Sequence, residues 1–376
     1  MEKINYENNN KNNNKINNDT PLFPGKIAVI SDAASVNEDT YSSAEYLVKK
    51  YGKDRIVHIV LPVDFIAERE REVDTIASLA EDREVRALII TQTIPGTNEA
   101  VDRLKEKRDD IFIICCSVHE SLPETAKRVN LIMRYNALGM GAAMVKQAKK
   151  QGARAFVFYS FPRHMMITGD AALKVMVEQT CKEENIEFVY AEAPDPADKD
   201  TGIPKARQFI LDDVPKLVAK YGEDTAFYCS NCHLQASLIK AVVDRHAIFP
   251  QPCCPSPFHG FPEALGIETD GRQTDLNYVI SEASRIAAEK YMTDRLSTWP
   301  ISAPTMFTSA GAEYAIMWIN GQAPKTGIEV RVLEESFKNY IKEVVGESVE
   351  VEMTSYSENG IDYNNVKLIL MSYLDL

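Results

Sequence analysis

From Lys26 onward, apolar runs and stretches of helical period alternate with little interruption. The run Ile27–Ile30 leads into a helical segment over 41–51 and a β-branched strand over 55–61; a helix at 68–80, a strand at 87–91, a helix at 98–107, a strand at 111–116 and an apolar run at 130–134 continue the pattern. Strands that are apolar throughout, instead of at every second position, are buried on both faces, which predicts a parallel sheet clad by helices. A second series begins at Leu138: a helix to 151, a strand at 155–159, a helix at 171–185, a strand at 188–191, a helix at 205–221, a strand at 225–229 and a helix at 234–245. The same architecture is therefore expected twice. Beyond Pro300, residues 305–319 read as a helix ended by Gly321 and Pro324, and 349–374 alternate like paired strands around a turn at 357–360.

This order predicts an α/β protein of two Rossmann-like lobes, each with a parallel sheet. At 376 residues and 45% apolar composition, the chain has material for two cores. Residues 1–22 are rich in Asn and poor in hydrophobes, so they are expected to form a disordered tail.

Charge narrows the partners. The net charge of −13, from 55 acids against 42 bases scattered along the chain, argues against direct nucleic-acid binding. No stretch approaches the roughly 20 apolar residues of a membrane span, and the start has no apolar signal-peptide core. As written the chain is expected to be cytoplasmic, or extracytoplasmic if a leader belongs in front of it.

In open parallel sheets, ligands bind beyond the carboxyl ends of the strands. There the chain places Asp32, Gln92 and Ser117 in the first lobe, and Ser160, Arg163, His164, Asn231 and Ser256 in the second. These are the candidate ligand-binding residues, although the same positions also serve as helix caps. The planar fork of Arg163 suits a carboxylate or phosphate, so the expected ligand is small, polar and open to being an anion. Phe161, Phe258 and Trp299 offer faces for a ring or sugar.

Seven cysteines, an odd number with two vicinal pairs, do not form a disulfide framework. Cys229, Cys232, Cys253 and Cys254 approximate the spacing of a four-thiolate zinc site. Burial as small hydrophobes is the plainer expectation. Cys229–His233 also matches the pattern for covalent haem attachment, but it lies at a strand end inside an α/β repeat. Cys116 and Cys254, at strand ends of the two lobes, would suit a thiol acid–base pair of the kind used by cofactor-independent racemases, provided both thiols were activated. Dinucleotide, metalloprotease and serine-hydrolase signatures are missing, so no cofactor is expected.

Three segments of the first half, Lys26–Asp32, Thr93–Thr97 and Arg134–Gly139, resemble type I periplasmic solute-binding proteins and the sensor domains of lactose-repressor-type regulators. In the second half, Tyr159–Met165, Ala193–Pro196 and Cys253–Pro262 resemble an uncharacterised family of bacterial lipoproteins of unknown function with this fold. That family's members typically carry a lipoprotein leader, which this sequence does not show. The resemblance implies a clamshell that closes on a solute through a multi-segment hinge, with Asn136, a further candidate ligand-binding residue, at the first crossover and Trp299–Pro300 at a return crossover; the N-terminal lobe is then expected over 23–136 plus about 298–325, and the C-terminal lobe over 137–297 plus about 326–376. The expected function is a non-enzymatic solute receptor or sensor, working with a membrane permease or a regulatory partner. The alternatives are the sensing module of a regulator whose DNA-binding domain lies elsewhere, and a cysteine-based isomerase.

Overall fold

The computed structural model describes residues 22–63, 68–200, 202–272, 275–346 and 349–376. The Asn-rich tail lies outside the described residues as far as Pro21. In chain order the elements are β1 (Lys26–Ser31), α1 (Glu38–Tyr51), β2 (Ile56–Val60), α2 (Arg69–Ser78), β3 (Val85–Ile90), α3 (Thr97–Lys107), β4 (Phe112–Cys116), α4 (Leu122–Ala126), β5 (Leu131–Tyr135), α5 (Ala137–Lys150), β6 (Ala155–Ser160), α6 (Pro162–Met165), α7 (Thr168–Glu183) and β7 (Glu187–Glu192). They continue with α8 (Gly202–Tyr221), β8 (Thr225–Cys229), α9 (Gln235–Asp244), α10 (Phe261–Leu265), α11 (Leu276–Glu289), β9 (Ser297–Thr298), α12 (Ala303–Ile319), α13 (Val330–Val345), β10 (Val351–Glu358), β11 (Ile361–Met371) and β12 (Leu374–Asp375). No helix among the described residues is long and apolar enough to cross a membrane.

The first lobe is built on a seven-stranded sheet of order β10-β11-β5-β4-β3-β1-β2, parallel except for β10. β1 and β4 are buried almost throughout, as expected for strands with helices on both faces. The chain leaves β1 first toward β2 and then back across to β3, so the order reverses at β1/β3 and a crevice opens at the carboxyl ends of those strands. α1 starts at that crevice, where Asn37 caps it by accepting from the Thr40 N–H at 3.3 Å. The second lobe has a smaller parallel sheet, β7-β6-β8, with α5 and α7 on one side and α8 to α11 on the other.

The architecture is the two-lobed α/β fold with mainly parallel sheets that the alternating pattern predicts. One expected assignment does not hold. Residues 326–376 were expected to complete the C-terminal lobe, yet β11 pairs in parallel with β5, and Leu333, Phe337, Val351 and Ile369 are buried in the first lobe's core. Residues from Ile328 to Met371 thus complete the first lobe, and only the last few return to the second. There β12 pairs antiparallel with β9, and Leu376 enters the second core. The reason is register: β11 continues the ladder at the open edge of β5, matching Val366 to Ile132 and Ile369 to Tyr135. The expected turn is present, with Asn359 and Gly360 both at positive φ.

Three segments therefore cross between the lobes: β5 to α5 through Asn136, β9 to α12 through Trp299, and β11 to β12. Asn136 caps α5 by accepting from the Gly139 N–H at 3.0 Å, and Gln147 Nε2 donates to Asp375 Oδ1 at 2.6 Å and to Ser297 Oγ at 3.1 Å. Trp299 is 1% exposed, so the return crossover is anchored in the core and does not run free over the surface.

Candidate functional site

A cavity of about 510 Å³ opens between the lobes. Its walls come from Val36 to Asp39 around the start of α1, from Ser117 and Tyr135, from the second lobe's Cys232, Cys253 to Ser256, Phe258 and His259, and from the crossover residues Trp299 and Ser302. A second cavity of about 480 Å³ adjoins it and shares Glu38, Asp39, Ser256, Phe258 and Ser302 with it.

Of the nine candidate ligand-binding residues, Ser117 and Ser256 line the cavity; the other seven are not among its wall residues. Their side chains show why. Asp32 is 4% exposed and its carboxylate accepts from Thr40 Oγ1 at 3.1 Å; burial raises its pKa. Gln92 follows β3, half-buried. Asn136 and Asn231 are caps, the latter accepting from the His233 N–H at 3.0 Å. Ser160 Oγ lies 2.8 Å from Ser230 Oγ, and His164 Nδ1 is 3.0 Å from the same hydroxyl. Arg163, expected to meet an anion, already has one: Nε and Nη2 donate to the two carboxylate oxygens of Asp195 at 2.7 and 2.9 Å. Its guanidinium also lies over Phe161, which is fully buried and presents no face to the cavity.

The cysteine expectations change more. Cys116 is completely buried in the first lobe's core, and burial pushes its thiol pKa up, so it cannot face Cys254 as an activated partner. Cys229 is likewise buried, in the second core, with its pKa pushed up to about 12 by burial. It is not one of the clustered thiols. The group that does form is Cys232, Cys253, Cys254 and His259, whose donor atoms all lie within 4.8 Å of one another. Cys232 Sγ stands 3.5 Å from Cys253 Sγ and 3.8 Å from Cys254 Sγ; Cys253 Sγ is 3.9 Å from Cys254 Sγ and 3.4 Å from His259 Nε2. Hydrogen bonding from the Cys253 and Cys254 thiols and from His259 favours the thiolate of Cys232, driving its pKa well below the ordinary thiol range. The same sharing pushes Cys253 upward.

Local structure holds this group in place. Gln235, 1% exposed at the start of α9, donates through Nε2 to the carbonyls of Cys229 and Asn231 at 2.9 and 2.8 Å, and its Oε1 accepts from the Cys253 N–H at 3.3 Å. One amide thereby ties the turn carrying Cys232 to the loop carrying the vicinal pair. Gly260 closes that loop at φ +86°, where a Cβ would come within 2.9 Å of the Gln235 side chain. Ser256 braces it by accepting from the Phe258 N–H at 3.2 Å, and its carbonyl accepts from the His259 N–H at 3.1 Å.

Across the cavity stands Asp39 of α1, in the same wall as Ser302 and His259; burial raises its pKa. His259 and Asp39 were missed in the sequence. The signal for His259 was available in its place five residues after Cys254, a spacing that zinc ligands use. No sequence signal marks Asp39 out from the other acids at helix starts.

Comparison with known proteins agrees with the fold. Two "Uncharacterized protein" chains of Treponema pallidum (strain Nichols) are similar to this one. The first is 30% identical over 168 residues, 44% of this chain and 76% of the relative, and the second 32% identical over 142 residues, 38% of this chain and 64% of the relative. This chain thus spans less than two thirds of the second relative. Among solved structures, one described as a "Putative transcriptional regulator from Clostridium difficile 630" superposes with a TM-score of 0.84 at 23% identity, covering 94% of this chain and 100% of that one. A sugar ABC transporter protein from Actinomyces odontolyticus ATCC 17982 matches at a TM-score of 0.52 and 10% identity, over 79% of this chain and 84% of that one. At these identities the likenesses speak for the fold alone. Residues 25–297 match the family described as "Protein of unknown function (DUF3798)", and the chain belongs to that family.

Proposed function

We propose that the protein is a receptor for a small polar solute, bound in the cavity between its lobes. The supporting observation is that one cavity of about 510 Å³ is walled by both lobes and by a crossover, so filling it would link bound solute to the closed arrangement. Glu38 and Asp39 supply acceptors, Ser117, Ser256 and Ser302 supply hydroxyls, and Phe258 adds an apolar face. With two acids in the wall and Arg163 already paired, this lining favours a neutral, hydroxyl-rich solute over an anion. Closure on such a solute could then serve a membrane permease or a regulatory partner.

Titration calorimetry against a panel of sugars, polyols and small acids, with small-angle scattering, tests the reading. One solute bound per chain with a reduced radius of gyration is the expected result. Asp39→Ala should weaken binding by roughly 10–100-fold, the loss of a hydrogen bond to a charged group. A panel with no binder, or binding that leaves the shape and the Asp39→Ala affinity unchanged, overturns it.

A further inference from the structure

We propose that Cys232, Cys253, Cys254 and His259 form a binding site for a single tetrahedral divalent ion of the zinc class, set in the second lobe's wall of the cavity. The distances make the case. Zinc–sulfur bonds of about 2.3 Å at tetrahedral angles put thiolate sulfurs about 3.8 Å apart, and a zinc–nitrogen bond near 2.0 Å puts sulfur and imidazole nitrogen about 3.5 Å apart. The observed sulfur separations are 3.5, 3.8 and 3.9 Å, Cys253 Sγ lies 3.4 Å from His259 Nε2, and all four donor atoms lie within 4.8 Å of one another. Four of the six edges of one coordination tetrahedron are thus already close to their expected lengths. The separations are too long for a disulfide, which needs about 2.05 Å, and too short for the donors to surround a multinuclear iron–sulfur cluster.

The donors are also the right chemistry and are held in advance. Thiolates with imidazole select zinc-like ions over calcium or magnesium, which take oxygen ligands. Gln235 and Gly260 fix the two backbone segments that carry the ligands, so the site is built by the fold and not by chance contact of surface cysteines. His259 uses Nε2 toward Cys253, which leaves Nδ1 for an outer partner. Binding exchanges the protons of the thiols still protonated for the ion, so metal uptake releases protons. All four ligands belong to the second lobe, so the site stands whether or not a solute binds between the lobes.

The test uses the full chain, reduced and stripped of metal, with no solute present. Native mass spectrometry should then show one zinc per chain. Cobalt titration should give the visible bands of tetrahedral Co²⁺ with thiolate-to-metal charge transfer in the near ultraviolet, reaching an end point at one equivalent and bleached by zinc. Cys254→Ser and His259→Gln, both at positions open to the cavity, should each weaken zinc by more than the roughly 10–100-fold typical of losing an outer partner. Cys229→Ala should leave the spectrum and the affinity unchanged. If fully reduced protein takes up neither ion, or if the cobalt spectrum survives both ligand variants, the proposal is overturned. Solute calorimetry on the unmutated protein, once stripped of metal and once loaded with zinc, separates the two readings: the metal titrations are read with no solute present, and solute binding by the stripped protein is read with no metal present.

Discussion

The two lobes repeat the same strand-to-helix plan, yet they use the residues at their strand ends differently. In the first lobe those groups close on one another: Ser31 Oγ meets His58 Nε2 at 2.8 Å, His58 Nδ1 meets Glu45 at 2.6 Å, and Glu120 accepts from the N–H groups of Gly96 and Asn98. In the second, Ser160, Ser230 and His164 close up in the same way beyond β6, whereas the turn after β8 and the loop before α10 bring three thiols and an imidazole together with mostly one another for partners. Strand ends thus brace both lobes, and one of them in the second presents soft donors. A strand end in this fold marks an opportunity for binding, and the residue types decide whether it is taken.

The cores differ as well, and the largest expected effect comes from breaking one of them. Phe112, on the central strand β4, is 1% exposed and packs against Trp318 with ring centroids 4.9 Å apart. Phe112→Ala should cost about 3–5 kcal/mol, the usual range for emptying a buried aromatic site. The first core and the main second-lobe core are separate clusters joined through three crossing segments. Hydrogen exchange should therefore show lost protection in β1, β3 and β4, with β6 and β8 retaining theirs. Equal loss in both lobes would make the molecule a single cooperative unit and erase the contrast.

A smaller effect sharpens the comparison from the side of charge. Glu72, 1% exposed between α2 and α3, makes only a long contact to Thr97 Oγ1 at 3.5 Å, and its Oε2 has no partner among the described residues. Burial, with Glu120 and Asp32 nearby, raises its pKa from 4.5 to about 7. A carboxyl whose folded pKa is raised favours the folded state below its unfolded pKa and loses that contribution as pH rises through the folded value. First-lobe stability should accordingly fall between about pH 4.5 and 7, by about 3 kcal/mol in all. Glu72→Gln should flatten that slope and be the more stable protein at pH 8. Urea titrations across this range check it, and a slope that persists in the variant would assign the pH dependence to another group.

Much of this was legible from apolar periodicity, because strands buried on both faces and amphipathic helices leave strong local signals. The first five strands and the β10–β11 turn follow that pattern closely. Where the hairpin docks was not legible, since pairing of β11 with β5 depends on an edge left open more than 200 residues earlier in the chain. α13 could have been read, as Leu333, Phe337, Tyr340 and Ile341 form one apolar stripe. The site was only half legible. Cys232, Cys253 and Cys254 announce themselves by type, whereas replacing Cys229 by His259 requires knowing that β8 points Cys229 into the core. Arg163 misled for a related reason: its partner Asp195 lies across β6 and β7, where sequence distance hides the pair.

That pair provides the smallest expected effect. The Arg163 side chain is 47% exposed and that of Asp195 20%, and an ion pair so open to water contributes little to stability. The guanidinium and the Ala197 N–H hold the Asp195 pKa below its ordinary value, so what the pair contributes is present above the usual carboxylate range and fades as pH falls through the lowered pKa. Asp195→Asn should hence shift the urea midpoint only slightly at pH 7 while leaving the guanidinium without its carboxylate. If Arg163 is masked from solutes by Asp195, the variant should gain weak affinity for a small dicarboxylate that the parent protein ignores, and calorimetry would register it. A parent protein that already binds the dicarboxylate, with no gain in the variant, would mean that an anion enters the cavity without this arginine. The acidic wall formed by Glu38 and Asp39 would then have to be neutralised when the solute binds.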